Sequence, residues 1–575
     1  MKDFDDLMAN VGSHGPYQRR ILAGVICPTS ILAAMTMNTL LFQVPVPDHW
    51  CHVPGQENTS YSHEAWINLT IPRDIQSGKL STCSQYRVEW TGQWNESLIV
   101  HNDTHACESG WEHDTSEFQD TMATTNQWFC EEKGYSDHVY SLNVAGNTVG
   151  SIVLPVLADR FIGRRLMFYI SLFIYVIFTL PAVWVSNYGF HLTLRFLAGL
   201  AFETNYMMPY IIGLEFLAPD KRTAATLVSF AAWTLGMCLT SLISWLLPRW
   251  QYLALVSCVP SVLAFAYWWS LPESPRWLLS QGRIHECATI LLNVARINGK
   301  KDVSRAQVES DLYILWNLQE KEVSLKEATR YPKLRLRALI LFFMGACSYL
   351  CYGVVFLGIT VLSSNYFVSH FVLSISELPS NALGWTCTQF LGRRFTCITT
   401  FLITAAIVAA APFCRHDKWV MLAIVAFIRL SCTQLIYVVY VQCTEIFPTP
   451  LRSTGLAWLI VCGLATMIST PYLLHSGIGE DFPYWFLLAL MLLCALLGTF
   501  LPETMGLPLP QTFQDSEDLG NGRPLRVWVN HWNQHRYVPV SSQEERYQEL
   551  RKLSLTNPEE LRRMSSRDER KKMSR

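Results

Sequence analysis

Five stretches of this chain, 21–46, 166–186, 223–247, 251–271 and 338–362, contain no Asp, Glu, Lys or Arg. An apolar window of about 18 or more residues is long enough to cross the hydrocarbon of a bilayer as a helix. Seven further stretches, about 138–158, 189–214, 365–388, 396–413, 419–443, 453–474 and 482–501, carry at most two such charges each. The sum is twelve predicted membrane helices. Composition agrees: 16% of the residues are charged, against roughly 25% in soluble globular proteins.

The twelve fall into two sets of six that repeat one another. "PESPRWLL" begins at Pro272 and "LPETMGLPLP" carries its Pro at 502, an offset of 502 − 272 = 230. The same offset joins "GLEFLAPDKR" to "CTEIFPTPLR", since Glu215 and Glu445 differ by 445 − 215 = 230, and Gly163 and Gly392 of the two Gly-Arg-Arg triplets differ by 229. A period this long, far beyond that of solenoid repeats, points to two homologous halves. The expected fold is an all-α membrane protein of two six-helix bundles, over 21–271 and 338–502, joined by a helical linker at 272–337.

Lys and Arg concentrate on the cytoplasmic side of membrane helices. Arg19 and Arg20, Arg160, Arg164 and Arg165, Lys221 and Arg222, and Arg393 and Arg394 all fall on one side, with Arg249, Arg415 and Lys418 opposing them. Residues 1–20, the linker and the 503–575 tail are therefore expected in the cytoplasm of a multi-pass plasma-membrane protein. The opening "MKDFDDLMAN" has no basic n-region or cleavage site, so no removable signal peptide is expected.

That orientation places residues 47–137 outside the cell, and their chemistry fits. The segment holds four Asn-x-Ser/Thr sequons, at Asn58, Asn68, Asn95 and Asn102, and four cysteines, Cys51, Cys83, Cys107 and Cys130. Sequons and an even cysteine count suit a glycosylated, disulfide-bearing loop, for which three pairings are open. The remaining 13 of 17 cysteines show no metal-ligand spacing and read as small apolar packing residues. In the linker, 283–297 and 303–322 have helical periodicity around an Asn298-Gly299 turn. The tail beyond about 505 reads as mostly disordered, with Ser565 in a chance "RRMSS" kinase pattern.

"ADRFIGRR" (158–165), "PESPRWLL", "TEIFPTPLRSTG" (444–455), "ELP" (377–379), "LPET" (501–504) and the loop opening "PDHWC" (47–51) together resemble the organic cation, anion and carnitine transporter family of the major facilitator superfamily. The resemblance runs over roughly 11–510. Sugar porters share the Pro-Glu phrases but lack the large first loop, and the seventh helix does not resemble their Gln-rich motif. The "PDHWC" opening and the loop's style resemble invertebrate members, among which are carriers of carnitine-like, carcinine-like and β-alanine-like molecules. The resemblance implies alternating access. It assigns Asp159, Arg160, Arg164, Arg165, Glu215, Arg222, Glu273, Arg276, Arg393, Arg394, Glu445, Arg452 and Glu503 to a gate of acids and arginines at the cytoplasmic helix ends.

Two departures stand out. Relatives usually read Asp-Arg-x-Gly-Arg-Arg, whereas Asp159-Arg160-Phe161-Ile162-Gly163-Arg164-Arg165 has one residue more. The second copy, "TQFLGRR", has no acid before Gly392.

Charges deep in a membrane are expensive and usually functional. Apart from His, four lie well inside predicted helices: Arg195, Glu203, Glu377 and Arg429. Glu203, Tyr206 and Tyr210 share one face of the fourth helix, offering an ammonium a carboxylate beside aromatic rings. Counting along the family motifs puts Arg429 on an arginine common in the tenth helix, Glu203 where cation carriers often have Lys, and Leu464 where a charged selector is usual. The preferred expectation is a zwitterion such as β-alanine or carnitine, its ammonium near Glu203 and its carboxylate near Arg429, with Tyr349, Tyr352, Tyr437 and Tyr440 as further lining. Glu377 is expected to fix the eighth helix. An organic cation comes next, then an organic anion, then a non-transporting receptor of the same fold.

No nucleophile and base, phosphate-cradling loop or metal motif marks an enzyme or a cofactor site, and nothing calls for nucleic acid. With no nucleotide-binding module, transport must be facilitated or driven by the membrane potential or a coupling ion.

Overall fold

The computed structural model describes residues 4–519, apart from 13–14, 60, 74–78, 91–97, 218, 301–302, 319–329, 359–364, 415–416, 449–450, 480, 506, 508–509 and 511–512. Asn95 and Ser565 lie outside the described residues. Helices form where the charge-poor runs lie, because in hydrocarbon a helix satisfies every backbone donor within its own segment.

Among the described residues eight helices are long and apolar enough to cross a membrane: Pro16–Leu41, Cys130–Ile162, Arg164–Ala182, Ala225–Leu246, Trp250–Trp268, Pro332–Leu357, Arg393–Cys414 and Lys418–Ile446. In the twelve-helix order these are helices 1, 2, 3, 5, 6, 7, 9 and 10. Helix 4 is built of Tyr188–Gly199 and Phe202–Glu215, helix 8 of Tyr366–Ile375 and Glu377–Leu391, helix 11 of Arg452–Met467 followed by Thr470–Leu474, and helix 12 of Phe482–Gly498. Large apolar side chains such as Phe173, Leu263, Phe427 and Leu496 stand exposed along these helices, as a lipid-facing surface requires.

The duplication is visible in the packing. Helix 1 lies on helix 5, 2 on 4 and 3 on 6 in the first half, and 7 on 11, 8 on 10 and 9 on 12 in the second. Between the halves, helix 5 meets helix 8 and helix 11 meets helix 2. Helices 2 and 4 come unusually close because Gly146, Gly150 and Gly199 carry no side chain. A Cβ on Gly146 or Gly150 would fall on the carbonyl oxygen of Phe196 or Leu200, the close approach that small-xxx-small spacing permits.

The extra residue before Gly163 is absorbed locally. Helix 2 ends in a π-helical turn, Ala158–Ile162, the usual form of a one-residue insertion into an α-helix.

The first loop is a small covalently stapled unit. His49–Cys51 pairs with Trp111–His113 and Ser84–Trp90 with Leu98–Ala106, both antiparallel. Of the three possible pairings the disulfides are Cys51–Cys107 and Cys83–Cys130. Asn68 is exposed on the helix His63–Thr70, Asn58 lies in a short 3-10 turn, and Asn102 on a strand. Burial of the Glu117 carboxyl, which accepts the backbone N–H of Tyr366, raises it above the usual carboxylate range.

At the opposite, linker end, Pro275–Ser280, Ile284–Ile297 and Arg305–Leu318 share a core with an N-terminal helix, Phe4–Val11, that buries Phe4, Leu7, Met8 and Val11. Asn298 ties them together, donating to the Gly12 carbonyl and accepting from Tyr17 N–H. Part of the tail expected to be disordered is also ordered. Residues Phe513–Asp518 form a helix whose Glu517 caps the Lys333 and Leu334 N–H groups at the start of helix 7.

Candidate functional site

Between the halves lies a cavity of about 360 Å³, within the size range of small-molecule sites. Its wall includes the break in helix 4 at Leu200–Ala201, after which Glu203 sits in the first turn of Phe202–Glu215. Helix 8 breaks at Ser376, and Glu377 sits in the first turn of Glu377–Leu391. Both acids thus stand at the positive end of a helix segment. Discontinuous helices facing a central cavity are a recurring way to build a transporter's substrate site.

The cavity brings together most of the residues singled out from the sequence. Glu203, Tyr206, Tyr210, Tyr349, Tyr352, Tyr437 and Tyr440 all line it, as does Leu464. Arg429 is not among the lining residues. Its guanidinium donates to Glu377 Oε1 at 2.6–2.7 Å and to Tyr352 Oη at 2.6 Å, and it lies 3.7 Å over the Tyr352 ring. With both side chains almost fully buried, this pair is already compensated, and Arg429 is occupied by protein rather than facing the cavity.

Glu203 differs. Its backbone N–H is held by Asn147 Oδ1 at 3.2 Å, while its carboxylate faces the cavity with no cation paired to it among the described residues. The surrounding wall is aromatic. Tyr206 stacks with Tyr210 at 5.8 Å and meets Trp233 edge-on at 5.1 Å, and Tyr349 and Tyr440 line the same cavity. An unpaired carboxylate among ring faces has the chemistry to hold an ammonium group. Sequence reasoning missed Asn147, Trp233 and Gln43 as lining; an Asn or Gln in a helix of this polarity was the signal available, and Trp233 had none.

At the linker end each half carries the same cluster. Gly163 and Gly392 have φ of 92° and 91°, and a Cβ there would meet Glu273 or Glu503. The Glu273 carboxylate accepts N–H groups of Arg164, Arg165 and Ser274, and Glu503 those of Arg393, Arg394 and Met505. Arg164 pairs with Glu215, and Arg393 with Glu445. Ser274 and Thr504 hydroxyls donate to those same two acids. Burial raises the Glu273 carboxyl above its usual range, opposed by its backbone donors. In the first half Asp5 additionally bridges Arg222 and Arg276, each at 2.5 Å. Asp159 pairs with Arg164 at 3.1 Å, while Arg160 is exposed. Arg394 donates to the Thr499 carbonyl, and Arg452 is half-buried at the start of helix 11.

Among the described residues the bonds named for these clusters each lie within one half; the two ends of the molecule behave differently. At the loop end His370 of helix 8 bonds Asn38 of helix 1 at 3.0 Å and Ser241 of helix 5 at 2.6 Å. Tyr366 Oη donates to the Leu41 carbonyl, and Ser141 of helix 2 to the Ile468 carbonyl after helix 11. The halves are therefore fastened together at the loop end.

Comparison with known proteins gives one answer. The family described as "Sugar (and other) transporter" matches residues 108–514. The Homo sapiens organic cation/carnitine transporter 2 is 26% identical over 529 residues, covering 89% of this chain and 93% of its own. Solute carrier family 22 member 7 of Homo sapiens is 31% identical over 537 residues, covering 89% and 96%. The carcinine transporter of Drosophila melanogaster is 27% identical over 544 residues, covering 90% and 79%. Among solved structures, a partially occluded inward open conformation of the xylose transporter XylE from E. coli superposes with a TM-score of 0.55 at 16% identity, over 86% of this chain and 100% of that one.

Proposed function

We propose, from the premise that the chain belongs to the organic ion transporter family of the major facilitator superfamily, that it carries ammonium-bearing organic solutes, with Glu203 as the ammonium site. A multi-pass transporter rather than an enzyme follows from that membership. The observation that carries the substrate reading is the unpaired Glu203 carboxylate on an aromatic cavity wall, beside an Arg429 that is already neutralised by Glu377. Relatives named for organic cations, carnitine and carcinine make carnitine-like and β-alanine-like molecules the first to try.

Alternating access supplies the mechanism. The halves are joined at the loop end and each linker-end cluster closes on itself, which supports a state open toward the linker. In the opposite state, Arg164, Glu215, Arg393, Glu445 and their neighbours would exchange partners across the halves and close that end. The side bias of Lys and Arg supports a cytoplasmic linker and termini in a plasma-membrane protein, and in that orientation this state would face inward. The membrane potential supplies about 2.3 kcal/mol per charge per 100 mV, enough to concentrate a cation, whereas a net-neutral zwitterion needs a coupling ion to accumulate.

The test is saturable uptake, in cells expressing the chain, of labelled tetraethylammonium, β-alanine and benzoate, each repeated with Glu203→Gln. Uptake of the ammonium-bearing probes should fall about tenfold or more at equal surface expression, since the variant leaves a cation without its counter-charge. Undiminished uptake by the variant sinks the Glu203 assignment. Binding without accumulation of any probe would favour the receptor reading.

A further inference from the structure

Of the four intramembrane charges, Glu377 and Arg429 satisfy each other, which leaves one acid and one base. The base is Arg195. It is 4% exposed, lines the same cavity as Glu203, and has no carboxylate paired to it among the described residues. Its contacts are neutral acceptors: Nη2 donates to Gln43 Oε1 at 3.0 Å and Nε to His191 Nε2 at 3.4 Å. An isolated charge taken out of water is costly unless something compensates it. Two uncompensated charges of opposite sign on one cavity wall are a matched pair of vacancies for a molecule that carries both.

We infer that Arg195, rather than Arg429, binds the carboxylate of a zwitterionic substrate whose ammonium and carboxylate are separated by a chain of several atoms. This rests on the reading of Glu203 as the ammonium site. The separation follows from helix geometry. Arg195 and Glu203 are eight residues apart on helix 4, and because Leu200 and Ala201 keep helical dihedrals through the break, the rise between them is about 12 Å. Helical side chains lean toward the N-terminus, and the longer Arg leans further, so the charges stand no closer than that rise. Allowing a contact of about 3 Å at each end leaves roughly 6 Å or more for the substrate to span. An α-amino acid, with both groups on one carbon, cannot do so; an ω-amino acid of four or more carbons can, whereas β-alanine would be held by its ammonium alone.

The experiment compares acids with their uncharged amides as inhibitors of labelled tetraethylammonium uptake, a probe with no carboxylate. In the natural chain 6-aminohexanoate should inhibit about tenfold more strongly than 6-aminohexanamide. The margin should shrink for the 4-aminobutyrate pair and vanish for alanine against alaninamide. In Arg195→Gln the margin, taken relative to that variant's own tetraethylammonium uptake, should vanish for every pair. If the variant does not reach the surface, Arg195→Lys reads the same margin, which should narrow because Lys lacks the forked donor.

Acids no better than amides in the natural chain, a margin that survives in Arg195→Gln or is undiminished in Arg195→Lys, or a series favouring alanine would each overturn the inference. If Glu203→Gln leaves tetraethylammonium uptake intact, the Glu203 reading fails on its own, and the acid–amide margin still decides Arg195.

Discussion

In the first half the Arg164 guanidinium is shared between Glu215 and Asp159, and Asp5 adds a bridge to Arg222 and Arg276. In the second half Arg393 gives two contacts of 3.2 Å to Glu445 and a third to the Thr388 carbonyl, four residues before Gly392 as Asp159 is before Gly163. What the halves keep in common is backbone chemistry: a left-handed glycine, and a carboxylate accepting the N–H groups of the two residues that follow it. Those donors are orphans at any helix start, so the carboxylate that takes them is hard to replace. What differs is the number of acids around the arginine, which solvent and carbonyl oxygens can stand in for.

The comparison breaks most sharply by deleting one residue from each half. Removing Phe161, which is 74% exposed on the π turn, should convert that turn to regular α-helix and leave the flanking helices in register. Removing Phe390, which has no such turn beside it, should rotate everything before it by about 100° relative to Gly392. Surface expression and uptake should stay within about threefold for the first deletion and be lost for the second, given a change of this size on a partly buried cluster. Equal tolerance of the two would mean that the insertion is not what the π turn absorbs.

A smaller effect is expected from Asp5→Asn. The variant removes two charge-assisted bonds that only the first half possesses, with all three side chains between 20% and 34% exposed, so the loss is about 1–2 kcal/mol locally. Hydrogen exchange over residues 4–11 should speed up by about tenfold, while exchange at 513–518, docked on the second half, should not change. Parallel acceleration of both would show that the clasps are coupled rather than separate.

How much of this was legible in the sequence depends on which physics set each feature. The twelve helices and the repeat were readable because lipid imposes long charge-free runs and because duplicated motifs kept their spacing. The partner of Arg429 was not. Glu377 and Arg429 are 52 residues apart, and periodicity within one helix says nothing about which faces of two helices meet. The N-terminal helix Phe4–Val11 was overlooked because eight residues are too short for a helix to be stable alone. It is held by burial of Phe4, Leu7, Met8 and Val11 against the linker helices, which only the tertiary structure reveals.

The smallest expected effect isolates one carboxylate of the first cluster. Burial raises Glu273 above the ordinary carboxylate value, so the folded protein favours its protonated form more than the unfolded chain does. Its contribution to stability is therefore fully present below the unfolded value of about 4.3 and is lost as pH rises through the higher folded value. Glu273→Gln cannot titrate and should lack that slope. Measured by thermal unfolding in a lipid nanodisc, the difference between the natural chain and the variant should move in favour of the natural chain as pH is lowered from 7 toward about 4. Movement in the opposite direction would mean that the N–H groups of Ser274, Arg165 and Arg164 stabilise the carboxylate by more than burial disfavours it, making the buried anion a net support of the cluster.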